Sequence, residues 1–143
     1  VIVADLMEWE PEHPFDAILL DAPCSATGTL RRHPELALIR TEEEVKRLTN
    51  LQNILLKRAV QWLKPGGVLV YAVCSLLAEE GEAQIAAITQ SGTVIMDPLQ
   101  KEQLPPFLHQ GLQQDGSVRT LPMHQQDAGG MDGFYIARLR RAS

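Results

Sequence analysis

Phe15-Asp-Ala-Ile-Leu-Leu-Asp21 and Val68-Leu-Val-Tyr-Ala-Val73 decide the fold. Each is an unbroken apolar run of strand length. The first leads into Asp21-Ala-Pro-Cys24, the second into Cys74-Ser75. Runs of this kind suit strands buried on both faces, as in parallel sheets. Between them, Thr41-Glu-Glu-Glu44 has capping-box spacing, and Val45, Leu48, Leu51, Leu55, Ala59 and Trp62-Leu63 recur at helical period. Three acids in the first turn favour the positive end of the helix dipole. Pro65-Gly-Gly67 ends the helix. Strand, helix and strand in this order predict an α/β fold with a largely parallel sheet.

Working outward, Val1-Ile-Val-Ala before Asp5 reads as the end of another buried strand. Glu8 to Pro14 and Ala22 to Pro34 read as loops. Glu79 to Gln90 reads as a weaker helix with Ile85 and Ile88 on one side, broken by Ser91-Gly92. Thr93 to Met96 is a short strand, and Phe134 to Leu139 alternates as a final one, able to pair antiparallel with it. Asp97 to Gln126 carries four prolines and no period. No repeat or linker divides the chain. A sequence that opens in mid-strand reads as a piece of something longer.

With 143 residues, 45% hydrophobic and 22% charged, the chain has the size and balance of one domain able to bury a core. Its 2 Cys are too few for a disulfide scaffold or a thiolate zinc site. A net charge of −5 argues against non-specific capture of nucleic acid, though not against a local basic cluster. No apolar run approaches the ~20 residues of a membrane span. No basic-then-apolar leader opens the sequence, which points to a reducing, cytoplasmic compartment.

In open α/β sheets, ligands bind beyond the carboxyl ends of the strands. If the Phe15 and Val68 strands are neighbours, both cysteines sit at one rim. A free Cys taken alone more often packs than reacts, and a structural disulfide is possible by count. Two Cys at matching strand ends, one beside Asp and Pro, favour function.

Asp21-Ala-Pro-Cys-Ser-Ala-Thr-Gly28, with Arg31-Arg-His-Pro-Glu35 after it, resembles motif IV of the Sun (Fmu, RsmB-like) family of RNA cytosine-5 methyltransferases. Lys64 to Ser75, with Glu79-Glu80, resembles its motif VI, and Met131 to Arg138 its closing strand. The resemblance runs in order along nearly the whole chain. It implies a Rossmann-like, class I S-adenosylmethionine-dependent fold with strand order 3-2-1-4-5-7-6. This chain would supply strands 3 to 7 of it, the C-terminal half. It also implies methyl transfer from S-adenosylmethionine to carbon 5 of cytosine in RNA, with ribosomal RNA as the partner. Cys74 would be the nucleophile, Cys24 would assist breakdown of the adduct, and Asp21 would contact the base. Asp5, Asp21 and Pro23 would face the cofactor. Arg31, Arg32 and His33 would bind RNA and are candidates for a positive group that keeps a thiol ionised. No metal is implied.

The sequence departs from the family in several places. The glycine-rich cofactor loop and the acid of the second strand are absent, as is an N-terminal RNA-binding domain. Val73 also stands where Thr usually precedes Cys-Ser. The expectation is a partial catalytic domain over 1–143, inactive alone, whose exposed sheet edge favours self-association unless Val1–Asp5 rearranges. A non-catalytic RNA- or protein-binding module is the alternative, and a thiol hydrolase using Cys24 or Cys74 with His33 is a remoter one. Arg138, Arg140 and Arg141 read as a solvated face, and Trp62 and Phe134 as core.

Overall fold

A computed structural model describes residues 1–143. Its strands are β1 (Phe15–Asp21), β2 (Leu63–Val73), β3 (Val94–Met96), β4 (Val118–Arg119) and β5 (Tyr135–Arg141). Its helices are α1 (Leu36–Ile39), α2 (Glu42–Trp62) and α3 (Glu82–Thr89). The sheet runs β1-β2-β5-β3, with β4 also pairing β5. β1 and β2 are parallel, and β5 is antiparallel to β2, β3 and β4. This reproduces the 4-5-7-6 part of the expected strand order.

α2 forms as its sequence dictates. Thr41 Oγ1 accepts from the Glu44 amide at 3.2 Å, and Glu44 accepts from the Thr41 amide at 3.1 Å. The inward stripe of α2 buries Leu55, Leu56, Ala59 and Val60 against Leu69, Tyr71 and Val73 of β2 and Ala137 and Leu139 of β5. Ile85 and Ile88 of α3 complete this layer.

The other face of the sheet carries no helix. Alternate residues there, Val68, Val70 and Ala72, are half-buried, and Leu19 on β1 is 71% exposed. The apolar run of β1 therefore does not mark burial on both faces here: of its seven residues only Leu20 is buried.

Val1–Asp5 is not a strand. No strand pairs with it, Val1 to Asp5 are exposed, and the segment leads into a turn. Asp5 closes that turn, its carboxylate accepting from the Met7 amide at 2.8 Å and its carbonyl from Trp9 at 2.8 Å. The turn is fixed to α2, because Arg58 donates to the Leu6 and Trp9 carbonyls and Trp62 stacks edge-on against Trp9 at 5.5 Å. A β-branched run needs a partner strand, and this one has none.

Lys64 to Gly67 lie within β2 as a bulge, since Phe15 pairs with Leu63 and Ala17 with Val68. Gly66 supplies the left-handed residue there, at φ +75°. α3 starts at Glu82, three residues later than expected, and the 97–126 stretch holds short 3-10 turns and β4.

Arg138, Arg140 and Arg141 are not a solvated face. Arg138 and Arg140 both reach Asp97, Arg140 also donates to the Gly66 carbonyl, and Arg141 donates to the Gln61 and Leu63 carbonyls. Arg138 and Arg140, on the open side of β5, and Arg141, beyond Leu139 on the helix side, have all found acceptors on neighbouring segments.

Thr41→Ala removes the cap of the longest helix and should lower unfolding free energy by about 1 kcal/mol in urea titration. An unchanged midpoint and slope would show that the cap contributes nothing.

Candidate active site

Parallel pairing of β1 and β2 sets Asp21 beside Ala72. Both strands therefore leave the sheet at the same rim. The Ala22 amide extends the ladder to the Ala72 carbonyl at 3.0 Å, and Gly28 donates to the Cys74 carbonyl at 3.0 Å. A third segment closes in from the start of β5, where Gly133 donates to the Gly28 carbonyl at 2.8 Å. A Cβ on Gly28 would lie 1.8 Å from the Gly133 carbonyl oxygen, so only glycine permits this approach. Ala26 takes φ +59° in the same loop, a left-handed conformation disfavoured for a residue with a Cβ.

This convergence puts Cys24 Sγ 3.3 Å from Cys74 Sγ. Both are free thiols and half-buried. Cys74 is lowered to about 7, chiefly because Cys24 donates a hydrogen bond to its thiolate and also through a backbone hydrogen bond; burial and the negative charges of Asp21 and Glu80 oppose this. Cys24 is pushed well above the usual thiol range, first by that same hydrogen bond and then by burial. Around neutrality the pair therefore gives up one of its two protons, with the thiolate favoured on Cys74. The expected activator was a cation, but the main one is the second thiol. Arg32 has a lesser part: its guanidinium is held protonated first by Asp132 and then by the Cys74 thiolate.

The other expected residues separate into groups. Asp21 is exposed at the rim, near enough to act electrostatically on Cys74. Pro23 is exposed, and its carbonyl accepts from Gln52 at 2.9 Å. Asp5 lies in the N-terminal turn with no bond to this cluster. Arg32 pairs with Asp132, whose carboxyl it holds below the usual range, with help from Arg31 and His33. His33 pairs with Glu35 at 3.2 Å, while Arg31 is exposed and forms no ion pair. The hydrolase reading loses its base, because His33 bonds outward to Glu35 and not to either thiol.

Several residues escaped the sequence reading. Glu80, fully buried, accepts from Ser25, Ser75 and Gln52. Thr27 Oγ1 accepts from the Leu76 amide at 3.0 Å. Arg119 donates to the Ser75 carbonyl, pairs with Glu82 at 2.6 Å and lies 4.9 Å from the Tyr135 ring centre. A signal existed for Gln52: it is a polar residue on the inward stripe of α2, where an amide needs a partner.

The sequence matches the family described as 16S rRNA methyltransferase RsmB/F over residues 2–140. The chain belongs to that family. Ribosomal RNA small subunit methyltransferase B of Shewanella oneidensis is 39% identical over 98% of the chain, and that of Yersinia enterocolitica is 39% identical over 92%. The chain spans 30% and 28% of those two proteins' lengths. Among solved structures, a methyltransferase homolog from Pyrococcus horikoshii superposes with TM-score 0.67 at 34% identity, covering 90% of this chain and 40% of that one. NSun6 from Pyrococcus horikoshii, solved with the S-adenosylmethionine analogue SFG, superposes with TM-score 0.68 at 29% identity, covering 87% and 29%. The RsmB/F chain thus has the Rossmann-like methyltransferase fold expected from its sequence.

Iodoacetamide should alkylate Cys74 with a rate that titrates near pH 7. Cys24→Ala removes the donor, so the midpoint should rise toward the ~8.5 of an ordinary thiol. A Cys24→Ala midpoint still near 7 would remove Cys24 as the activator.

Proposed function

We propose that this RsmB/F segment carries the thiol half of an active site that methylates carbon 5 of cytosine in RNA, with ribosomal RNA as the substrate. The observation that carries the reading is the 3.3 Å pair of free thiols at the carboxyl rim of a parallel strand pair, and the lowered midpoint of Cys74 supports it.

Carbon 5 of cytosine is a poor nucleophile. The Cys74 thiolate adds to carbon 6, forming a carbon–sulfur bond and moving electron density onto carbon 5. Bound S-adenosylmethionine supplies the methyl group. Once the carbon 5 proton has passed to a water molecule acting as base, the electron pair of that carbon–hydrogen bond reforms the ring double bond and expels Cys74 as thiolate. Cys24, the protonated member of the pair, serves this release by hydrogen bonding the departing sulfur. Asp21, exposed at the rim, would meet the ring nitrogen and amino group of the base. Arg31, the unpaired member of the basic triplet, is the group available for an RNA phosphate.

We take the cofactor pocket to be incomplete in this chain, because five cavities of about 260 to 590 Å³ are lined by none of Asp21, Pro23 and the two thiols. Asp5 is occupied by its own turn. We assign the rest of the cofactor pocket to the remainder of a longer protein, packed along the free edge of β1, and expect the 143-residue chain alone to be inactive. In isolation that edge and the open sheet face favour self-association. Adjacent unbonded thiols fit a reducing, cytoplasmic setting, and no helix is long and apolar enough to cross a membrane. A non-catalytic binding module is the second reading, favoured only by the missing enclosure.

In the full-length protein with substrate RNA and methyl donor, Cys24→Ala should accumulate a covalent protein–RNA adduct visible by denaturing gel. Cys74→Ala should give none. An adduct in Cys74→Ala but not in Cys24→Ala would reverse the two roles, and none in either would favour the binding module.

A further inference from the structure

We propose that Glu80 is a positioning residue that sets the separation of the two thiols, gripping the residue after each one. The inference rests on the thiol pair being the reactive centre.

Glu80 is fully buried, in the turn that leads into α3. Its Oε1 accepts from the Ser25 amide at 2.9 Å and from Gln52 Nε2 at 3.0 Å. Its Oε2 accepts from the hydroxyls of Ser25 and Ser75. Ser25 follows Cys24 and Ser75 follows Cys74, so a single carboxylate spans the two chain segments that carry the thiols. Its own carbonyl accepts from Tyr71 Oη at 2.7 Å, which ties it to the buried face of β2, while Gln52 ties it to α2. The site is therefore referenced to both β2 and α2.

No cation pairs with Glu80. Arg40 donates instead to the Ser25 carbonyl at 3.0 Å, and Arg119 to the Ser75 carbonyl and Glu82. Four donors alone hold the buried charge. A buried carboxylate is tolerated only while its hydrogen bonds are kept, so the donors cannot drift apart without exposing it. A carboxylate also suits the task chemically: it is acceptor-only and can take donors on both oxygens at once. An amide in its place would point an N–H at two hydroxyls, which could still rotate to accept. The Glu80 charge acts on Cys74 as well, opposing its ionisation. Position and charge thus pull the Cys74 midpoint in opposite directions, and this lets them be separated.

The test is made in the full-length protein with its other cysteines, if any, replaced. Dibromobimane joins two thiols only when they are adjacent, and its fluorescence reports the rate. Glu80→Ala should slow joining of Cys24 to Cys74 at least tenfold and raise the Cys74 alkylation midpoint, because the Cys24 donor moves away. Glu80→Gln should restore most of the joining rate. In methyl transfer, Glu80→Ala should lower kcat with little change in KM for RNA. A folded Glu80→Ala protein that joins its thiols at the wild-type rate would overturn the proposal, and so would a lowered midpoint with unchanged joining, which would leave only the charge effect. If Glu80→Ala does not fold, Ser75→Ala frees the Cys74 side while Ser25 and Gln52 still supply donors to both carboxylate oxygens. At least threefold slower joining supports the proposal, and wild-type joining overturns it. Joining and alkylation need no methyl transfer. Failure of the wild-type protein to methylate RNA would therefore reject the proposed function while leaving this inference standing or falling on its own readouts.

Discussion

Two sulfurs can rest 3.3 Å apart at this rim because three stretches of backbone meet there with almost no side chain between them. Gly28 donates to Cys74, Gly133 donates to Gly28, and a Cβ on Gly28 would strike the Gly133 carbonyl. Parallel pairing of β1 and β2 brings the first two stretches to the same end, and β5, antiparallel to β2, delivers the third. The loop after β1 accepts a left-handed Ala26 to make the turn. Such local strain is maintained where surrounding bonds over-determine it, and here Ser25, Thr27 and Gly28 are all bonded to the Cys74–Glu80 stretch.

The contact changes chemistry as well as shape. A lone thiol at neutral pH is mostly protonated and a weak nucleophile. Sharing one proton makes Cys74 a nucleophile and Cys24 a hydrogen-bond donor aimed at it. The proposed cycle would use both abilities, because in it the sulfur attacks as an anion and leaves as one. Asp21 and Glu80 restrain the ionisation that Cys24 promotes, so the thiolate is available near neutrality without being made too stable to react.

Much of this was legible in the residues. Two apolar runs ending in Cys, with a capped helix between them, placed both thiols at one rim. What escaped did so for physical reasons. Val1–Val3 has strand composition, but composition does not supply a neighbouring strand. The β1 run reads as buried on both faces, yet the sheet carries helices on only one. The 97–126 stretch folds through 3-10 turns and a two-residue strand, neither long enough to show a period. Glu79-Glu80 belongs to the motif VI resemblance, but nothing in two adjacent acids says that Glu80 turns inward while Glu79 stays exposed. The cation expected to ionise Cys74 was sought among Arg31, Arg32 and His33. Arg32 and His33 are committed to Asp132 and Glu35, and a neighbouring neutral thiol does most of the work.

Because the chain holds 2 cysteines and no others, its sulfur–hydrogen stretching band in the Raman spectrum counts the protons on the pair directly. Titrated under reducing conditions, the band should lose about half its area around pH 7 and keep the remainder well beyond pH 9, shifted by its hydrogen bond. A band that disappears in one step near the ordinary thiol value would mean that the two sulfurs ionise independently and do not share a proton.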